Sequence, residues 1–162
     1  MSEQEAEILT SYIEIADCHD RRIKSAIRML VRLEPFTKDN IKTTLSQDTA
    51  ALDSLIYRFD CLLKNIEHKI FPALLKGLSE LNPDDTYLDR LNKLEKYNIL
   101  PSSGIWLKMI DSRDQIEKEY FSLDPQNLVE ALNRFIGYSR VLLEYWDEIK
   151  SYILDFKKNY YL

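Results

Sequence analysis

The sequence predicts an all-α protein: an antiparallel helical bundle of three long helices with one or two shorter ones. Apolar residues recur at three- and four-residue steps along three long stretches, which is the spacing of one helix face. Only 3 glycines and 5 prolines occur in 162 residues, too few for an all-β chain that turns about every 8–12 positions. A hydrophobic share of 45% beside 30% charged residues belongs to a chain that buries a core. At this length roughly two-thirds of the unfolded surface is buried on folding, so one domain holds without a disulfide or metal.

The first helix is expected from Glu3 to Leu33, with Ile8, Tyr12, Ile15, Ala16, Ile23, Ala26, Ile27, Leu30 and Val31 on its apolar face. Pro35 ends it, because a residue before proline is pushed out of the α region. Phe36 to Leu45 reads as a polar connection with at most a short turn of helix. A second long helix carries Leu52, Leu55, Ile56, Phe59, Leu62, Leu63, Ile66, Ile70, Leu74 and Leu78 on one stripe. Pro72 lies inside it and predicts a kink, since proline removes a backbone bond and crowds the preceding turn.

Asn82-Pro83-Asp84-Asp85 ends that helix and starts a short one through Tyr97, with Asp84 or Asp85 as its N-cap. Asn98 falls where a left-handed C-cap belongs. Pro101-Ser102-Ser103 opens the next helix, capped by a serine and running through Trp106 to about Glu119. Asp124-Pro125 is a restart signal, an N-cap acid before proline at the first helical position. The last helix buries Leu128, Leu132, Phe135, Ile136, Leu142, Leu143, Trp146, Ile149, Ile153 and Phe156. Residues 1–155 thus form one helical domain. Residues 156–162 form an aromatic, basic tail, either packed back on the bundle or offered to a partner.

A net charge of −5 removes the broad basic field of a non-specific nucleic-acid binder, so any RNA contact is local. Cys18 and Cys61 lack CxxC spacing and read as reduced, packed thiols of a cytosolic chain. The acidic start MSEQEAEIL has neither the basic nor the apolar region of a signal peptide. No apolar run approaches the ~20 residues of a membrane span. A cytoplasmic protein without membrane contact is expected. His19 and His68 have no metal-ligand spacing, and no Ser/His/Asp set, Cys/His set or glycine-rich loop is present. No metal or cofactor is expected on this chain.

The chemistry concentrates at Arg113 to Tyr120. Trp106, Met109, Ile110, Arg113, Ile116 and Tyr120 share one stripe, so Arg113 lies on or beside an apolar face. A guanidinium there needs hydrogen-bonding partners or a wet cleft; the local option is an i,i+4 pair with Glu117.

The stretch Ser112-Arg113-Asp114-Gln115-Ile116-Glu117-Lys118-Glu119-Tyr120 resembles the signature of HepT-type HEPN-domain proteins. That signature is an arginine and a polar residue, then a histidine, any residue and a tyrosine. Arg113 and Tyr120 match at the right spacing. Leu52 to Phe59, Leu88 to Lys96, Ile99-Leu100-Pro101-Ser102 with Trp106, and Asp124-Pro125 are similar to flanking segments of the family. The likeness covers about Leu52 to Leu132. Lys118 stands where the family has histidine, Asp114 stands where asparagine is usual, and Glu119 fills the free position.

The resemblance implies a homodimeric partner of a minimal nucleotidyltransferase in a toxin–antitoxin pair, with nucleotide and magnesium held by the partner. It implies that Tyr120 is the hydroxyl that the partner modifies with AMP, although the same ring can simply cover the stripe begun by Trp106. In the family, paired motifs cut RNA without metal. Such chemistry needs a cation for developing phosphate charge and a group that exchanges a proton near neutral pH. Arg113 suits the first task. Lys118 is ill suited to the second, since an ordinary lysine titrates near ~10.4, and Asp114 repels phosphate beside the arginine. The expected function is therefore a partner or substrate-presenting subunit without ribonuclease activity. The alternatives are an active ribonuclease toxin using Arg113 and Lys118, and a non-enzymatic helical interaction module.

Overall fold

The computed structural model describes the backbone of residues 3–120 and 124–160, and among these residues there is no strand. The helices are α1 (Glu3–Leu30, followed by a 3-10 turn Val31–Leu33), α2 (Lys38–Gln47), α3 (Thr49–Asn65), α4 (Phe71–Gly77), α5 (Tyr87–Lys96), α6 (Ser103–Glu119) and α7 (Pro125–Tyr160). A π turn, Ile66–Ile70, joins α3 to α4. The three long rods are α1, the α3–α4 composite and α7, and the expected all-α bundle is the observed fold.

Helix α1 runs antiparallel to both other rods. Asn65 Nδ2 donates to the Tyr12 carbonyl at 2.9 Å, and Arg58 meets His19 at 3.3 Å. Against α7, Trp146 Nε1 and Lys150 Nζ donate to the two oxygens of Asp17 at 2.9 and 2.5 Å. The buried line of α1 is Leu9, Ile13, Ala16, Ile23, Ala26 and Leu30. Ile8, Ile15 and Val31, expected on the apolar face, are exposed. Apolar residues occupy adjacent positions at all three places, Ile8/Leu9, Ile15/Ala16 and Leu30/Val31, so periodicity leaves the face ambiguous by one position. Packing against α3 and α7 decides it.

The expected polar connection is largely helix. Thr37 Oγ1 accepts from the Asn40 N–H at 3.2 Å, while Asn40 Oδ1 accepts from the Thr37 N–H at 2.8 Å. This reciprocal cap starts α2, which buries only Ile41 and Thr44. So narrow an apolar face leaves little periodic signal. Phe36 is buried, and both its backbone polar groups bond Asn133 on α7 at 2.9 Å.

Pro72 produces the expected distortion as the π turn. A proline ring collides with the carbonyl four residues back and offers no N–H. The chain widens just before it, and the Phe71 N–H bonds the Ile66 carbonyl, five residues back.

Helix α5 starts later than either expected cap, by one residue from Asp85 and two from Asp84. Thr86, not Asp84 or Asp85, is the N-cap, in a reciprocal box with Asp89. Asp85 is engaged instead by Lys93 at 2.7 Å. Asn98 takes φ 55°, the left-handed C-cap conformation. Ser102 caps α6 by accepting from the Ile105 N–H at 3.2 Å. Asp124 Oδ1 accepts from the Gln126 N–H at 2.9 Å, directly before Pro125.

All ten apolar residues expected on the last helix are buried. Helix α7 continues through Tyr160, past the expected start of the tail at Phe156. Phe156 is buried, stacked on Tyr152 and 3.5 Å from the Cβ position of Gly77. Tyr161 and Leu162 lie outside the described residues. Both cysteines are free, but Cys18 is exposed where a packed thiol is expected, and Cys61 is half-buried. No helix among the described residues is long and apolar enough to cross a membrane.

Candidate functional site

Helix α6 lies over α3 and α7, with Trp106, Met109, Ser112 and Ile116 buried beneath it. This seats Arg113 and Tyr120, both half-buried, at the seam with α3. The expected local pair with Glu117 is not what holds the guanidinium. Arg113 Nη1 donates to Asp60 on α3 at 3.1 Å, while Nε and Nη2 donate to one oxygen of Asp114 at 2.9 and 2.7 Å. Lys64 takes the other oxygen of Asp60 at 2.7 Å. Burial works against the Arg113 charge, but its bonds to Asp114 and Asp60 outweigh that and raise its pKa. The bond to Asp60 likewise raises the Lys64 ammonium.

Tyr120 caps the end of α6, and its hydroxyl donates to Asp53 Oδ1 at 2.6 Å across the seam. Burial, then this bond to a carboxylate, pushes the phenol well above its ordinary value. An open groove of about 280 Å³ runs past Tyr120 and the Asp60 partner of Arg113, lined by Asp53, Ile56, Tyr57, Asp60, Glu117 and Tyr120.

The sequence motif is divided by this geometry. Seven residues advance an α-helix by nearly two turns, so Arg113 and Tyr120 share one side within about 20°. Five residues place Lys118 about 140° round from Arg113, and its side chain is exposed. Asp114 joins the arginine; Glu119 is half-buried on another side of the helix.

No protein-family model matches the chain, and neither curated proteins nor solved structures give a match. The chemistry of the site therefore rests on its own residues. Asp53, Asp60 and Lys64 were not among the residues singled out in the sequence. The available signal was the seven-residue spacing of Asp53, Asp60 and Glu67, which puts three acids on one side of the α3 rod. Each meets a polar group from α5 or α6: Tyr120, Arg113 and the Tyr87 phenol, which burial and then Glu67 push upward.

Among the described residues no group of three or more His, Cys, Asp or Glu side chains is placed to hold a metal ion. A neutral phenol on a carboxylate can deliver a hydroxyl nucleophile with its proton acceptor already in contact. A guanidinium bound by two carboxylates is a poor grip for phosphate. His19 lies in the middle of α1 and His68 in the π turn, and desolvation, then Arg58, lowers the pKa of His19. A second, mostly apolar groove of about 310 Å³ between α1 and α4, lined by Ile8, Tyr12, Pro72 and Leu81 among others, contains no residue of the motif.

Proposed function

We propose that this protein is a HepT-like HEPN subunit of a nucleotidyltransferase pair, cytoplasmic and homodimeric, that presents Tyr120 for modification and does not cut RNA. The observation that carries this reading is the contact of the Tyr120 hydroxyl with Asp53 at the edge of an open groove. In the reaction the phenolic oxygen attacks the α-phosphorus of ATP bound by the partner. The bond to the β-phosphate oxygen breaks, pyrophosphate leaves, and the phenol proton passes to Asp53. Magnesium and nucleotide belong to the partner.

The electrostatics of the seam favour this role over nuclease activity. Arg113 and Lys64 face Asp53, Asp60, Asp114 and Glu117, two cations against four carboxylates. An RNA phosphate entering this groove meets net negative charge and an arginine already occupied. Lys118, the only motif candidate for proton exchange, points elsewhere.

The deciding experiment incubates the full chain with a minimal nucleotidyltransferase, ATP and magnesium, and reads intact mass. The wild type gains one AMP, and Tyr120→Phe gains none. Equal uptake by Tyr120→Phe refutes the assignment. Growth arrest on expression that Arg113→Ala abolishes would instead establish the ribonuclease.

A further inference from the structure

One heptad beyond Asp60, α3 delivers Glu67 into the π turn. A pocket of about 200 Å³ opens there between the π turn, α4 and α5, lined by Glu67, Phe71, Leu75, Tyr87, Arg90 and Leu94 among others. Its walls follow from two local causes. The widened turn before Pro72 carries Glu67 and Phe71 to one side of the opening. On α5, Tyr87, Arg90, Leu91 and Leu94 recur at the spacing of one helix face and supply the other. π turns are rare in proteins and concentrate at functional sites.

The charges in this pocket have no partners in each other. Arg90 is half-buried, and its Nε is buried with no hydrogen-bond partner. Among the described residues the Arg90 guanidinium enters no ion pair. The Glu67 side chain is 13% exposed; it meets the Tyr87 phenol and lies 4.0 Å from the His68 ring, and it makes no contact with a lysine or arginine among the described residues. Charges this enclosed are ordinarily paired. Here a cation and an anion line one apolar pocket without forming an ion pair.

We propose that this pocket binds a free α-amino acid with an apolar side chain. The carboxylate of the ligand takes Arg90, its ammonium takes Glu67, and its side chain lies against Phe71, Leu75 and Leu94. A zwitterion matches both charges at once. A simple anion leaves Glu67 unpaired, and a simple amine leaves Arg90 unpaired. The volume lies below the range of roughly 300–1,000 Å³ typical of sites for larger ligands, which excludes a whole nucleotide. The site stands apart from Tyr120 and does not depend on the reading given for that residue.

Isothermal titration calorimetry on the full chain tests the inference with L-leucine, L-phenylalanine, 4-methylpentanoate and 3-methylbutylamine. At least one of the two amino acids binds, and the acid and the amine, each lacking one charged group of leucine, bind at least about tenfold more weakly. Arg90→Met and Glu67→Gln each weaken the amino acid by a similar factor. In the wild type, which avoids any question of folding, methyl NMR shifts on saturation fall at Leu75, Leu91 and Leu94. Absence of binding by both amino acids at millimolar concentration overturns the proposal. So does an amine or acid that binds as tightly as leucine, unchanged affinity in Arg90→Met, or shifts confined to other methyls.

Discussion

Asp60 and Glu67 sit seven residues apart on the α3 rod, yet their surroundings differ in kind. Asp60 is bonded on both oxygens, to Arg113 and Lys64, and Arg113 in turn holds Asp114. Glu67 shares a pocket with an arginine that forms no ion pair. The first region has spent its charge on holding α6 to α3; the second keeps charge unsatisfied beside an apolar wall. Residues of the same type on the same helix therefore divide between bracing the bundle and remaining open to a ligand. What divides them is the partner each meets: two cations for Asp60, and the neutral Tyr87 phenol for Glu67.

The largest expected effect comes from breaking the braced region. Arg113 and Asp60 side chains are 17% and 20% exposed, so Asp60→Ala leaves an enclosed guanidinium with only the exposed Asp114. A loss of about 2 kcal/mol in urea unfolding is expected, below the cost for a fully buried pair. Adding Arg113→Ala restores part of it, and strict additivity in that cycle would show that the two residues are uncoupled.

Tyr120→Phe removes one bond from the same seam and is expected to cost about 1 kcal/mol. Its pH dependence has a defined sign. The folded phenol is raised above the ordinary value of 10.0, so its contribution is full below pH 10 and is lost as pH rises through the folded value. Ultraviolet titration should show several late-ionising tyrosines, Tyr87 among them, and Tyr120→Phe should have one fewer.

The open region responds in the opposite direction. Because Arg90 has no partner to lose, Arg90→Met is expected to be neutral or to stabilise by up to about 1 kcal/mol in the same unfolding assay. A clear destabilisation would mean that the two regions are braced alike. The smallest effect is at His19, away from both. Desolvation, then Arg58, lowers its pKa below 6.5, so stability is lost as pH falls from 6.5 through the lowered value. His19→Gln should flatten the stability curve over that window.

Much of the fold was readable because helix ends are written locally. Asn98, Ser102 and Asp124-Pro125 sit where the sequence puts them, since each needs only its own neighbours. Thr37 and Thr86 were harder, because their caps depend on which of several polar residues wins. Asp85 lost that competition to an ion pair with Lys93 from the following helix. The α1 face was misplaced by one position because Ile8 and Leu9 are equally apolar and only the neighbouring helices choose between them.

At the site, three- and four-residue spacing located Arg113 and Tyr120 on one side of α6. Their partners Asp60 and Asp53 were not legible, since they lie 53 and 67 residues away along the chain. Bonds of that range depend on how α3 and α6 pack, which no local pattern encodes.

The π turn has a consequence for how such a bundle changes over time. A π turn holds one residue more than the α-helix it interrupts, so it corresponds to a single-codon insertion. The rods on either side keep their length and burial, while the side chains at the insertion acquire new neighbours. Deleting one residue within Ile66–Ile70 should straighten the rod only as far as Pro72 allows and close the pocket against α5. A long helix can in this way gain or lose a cavity in one genetic step without redrawing its bundle.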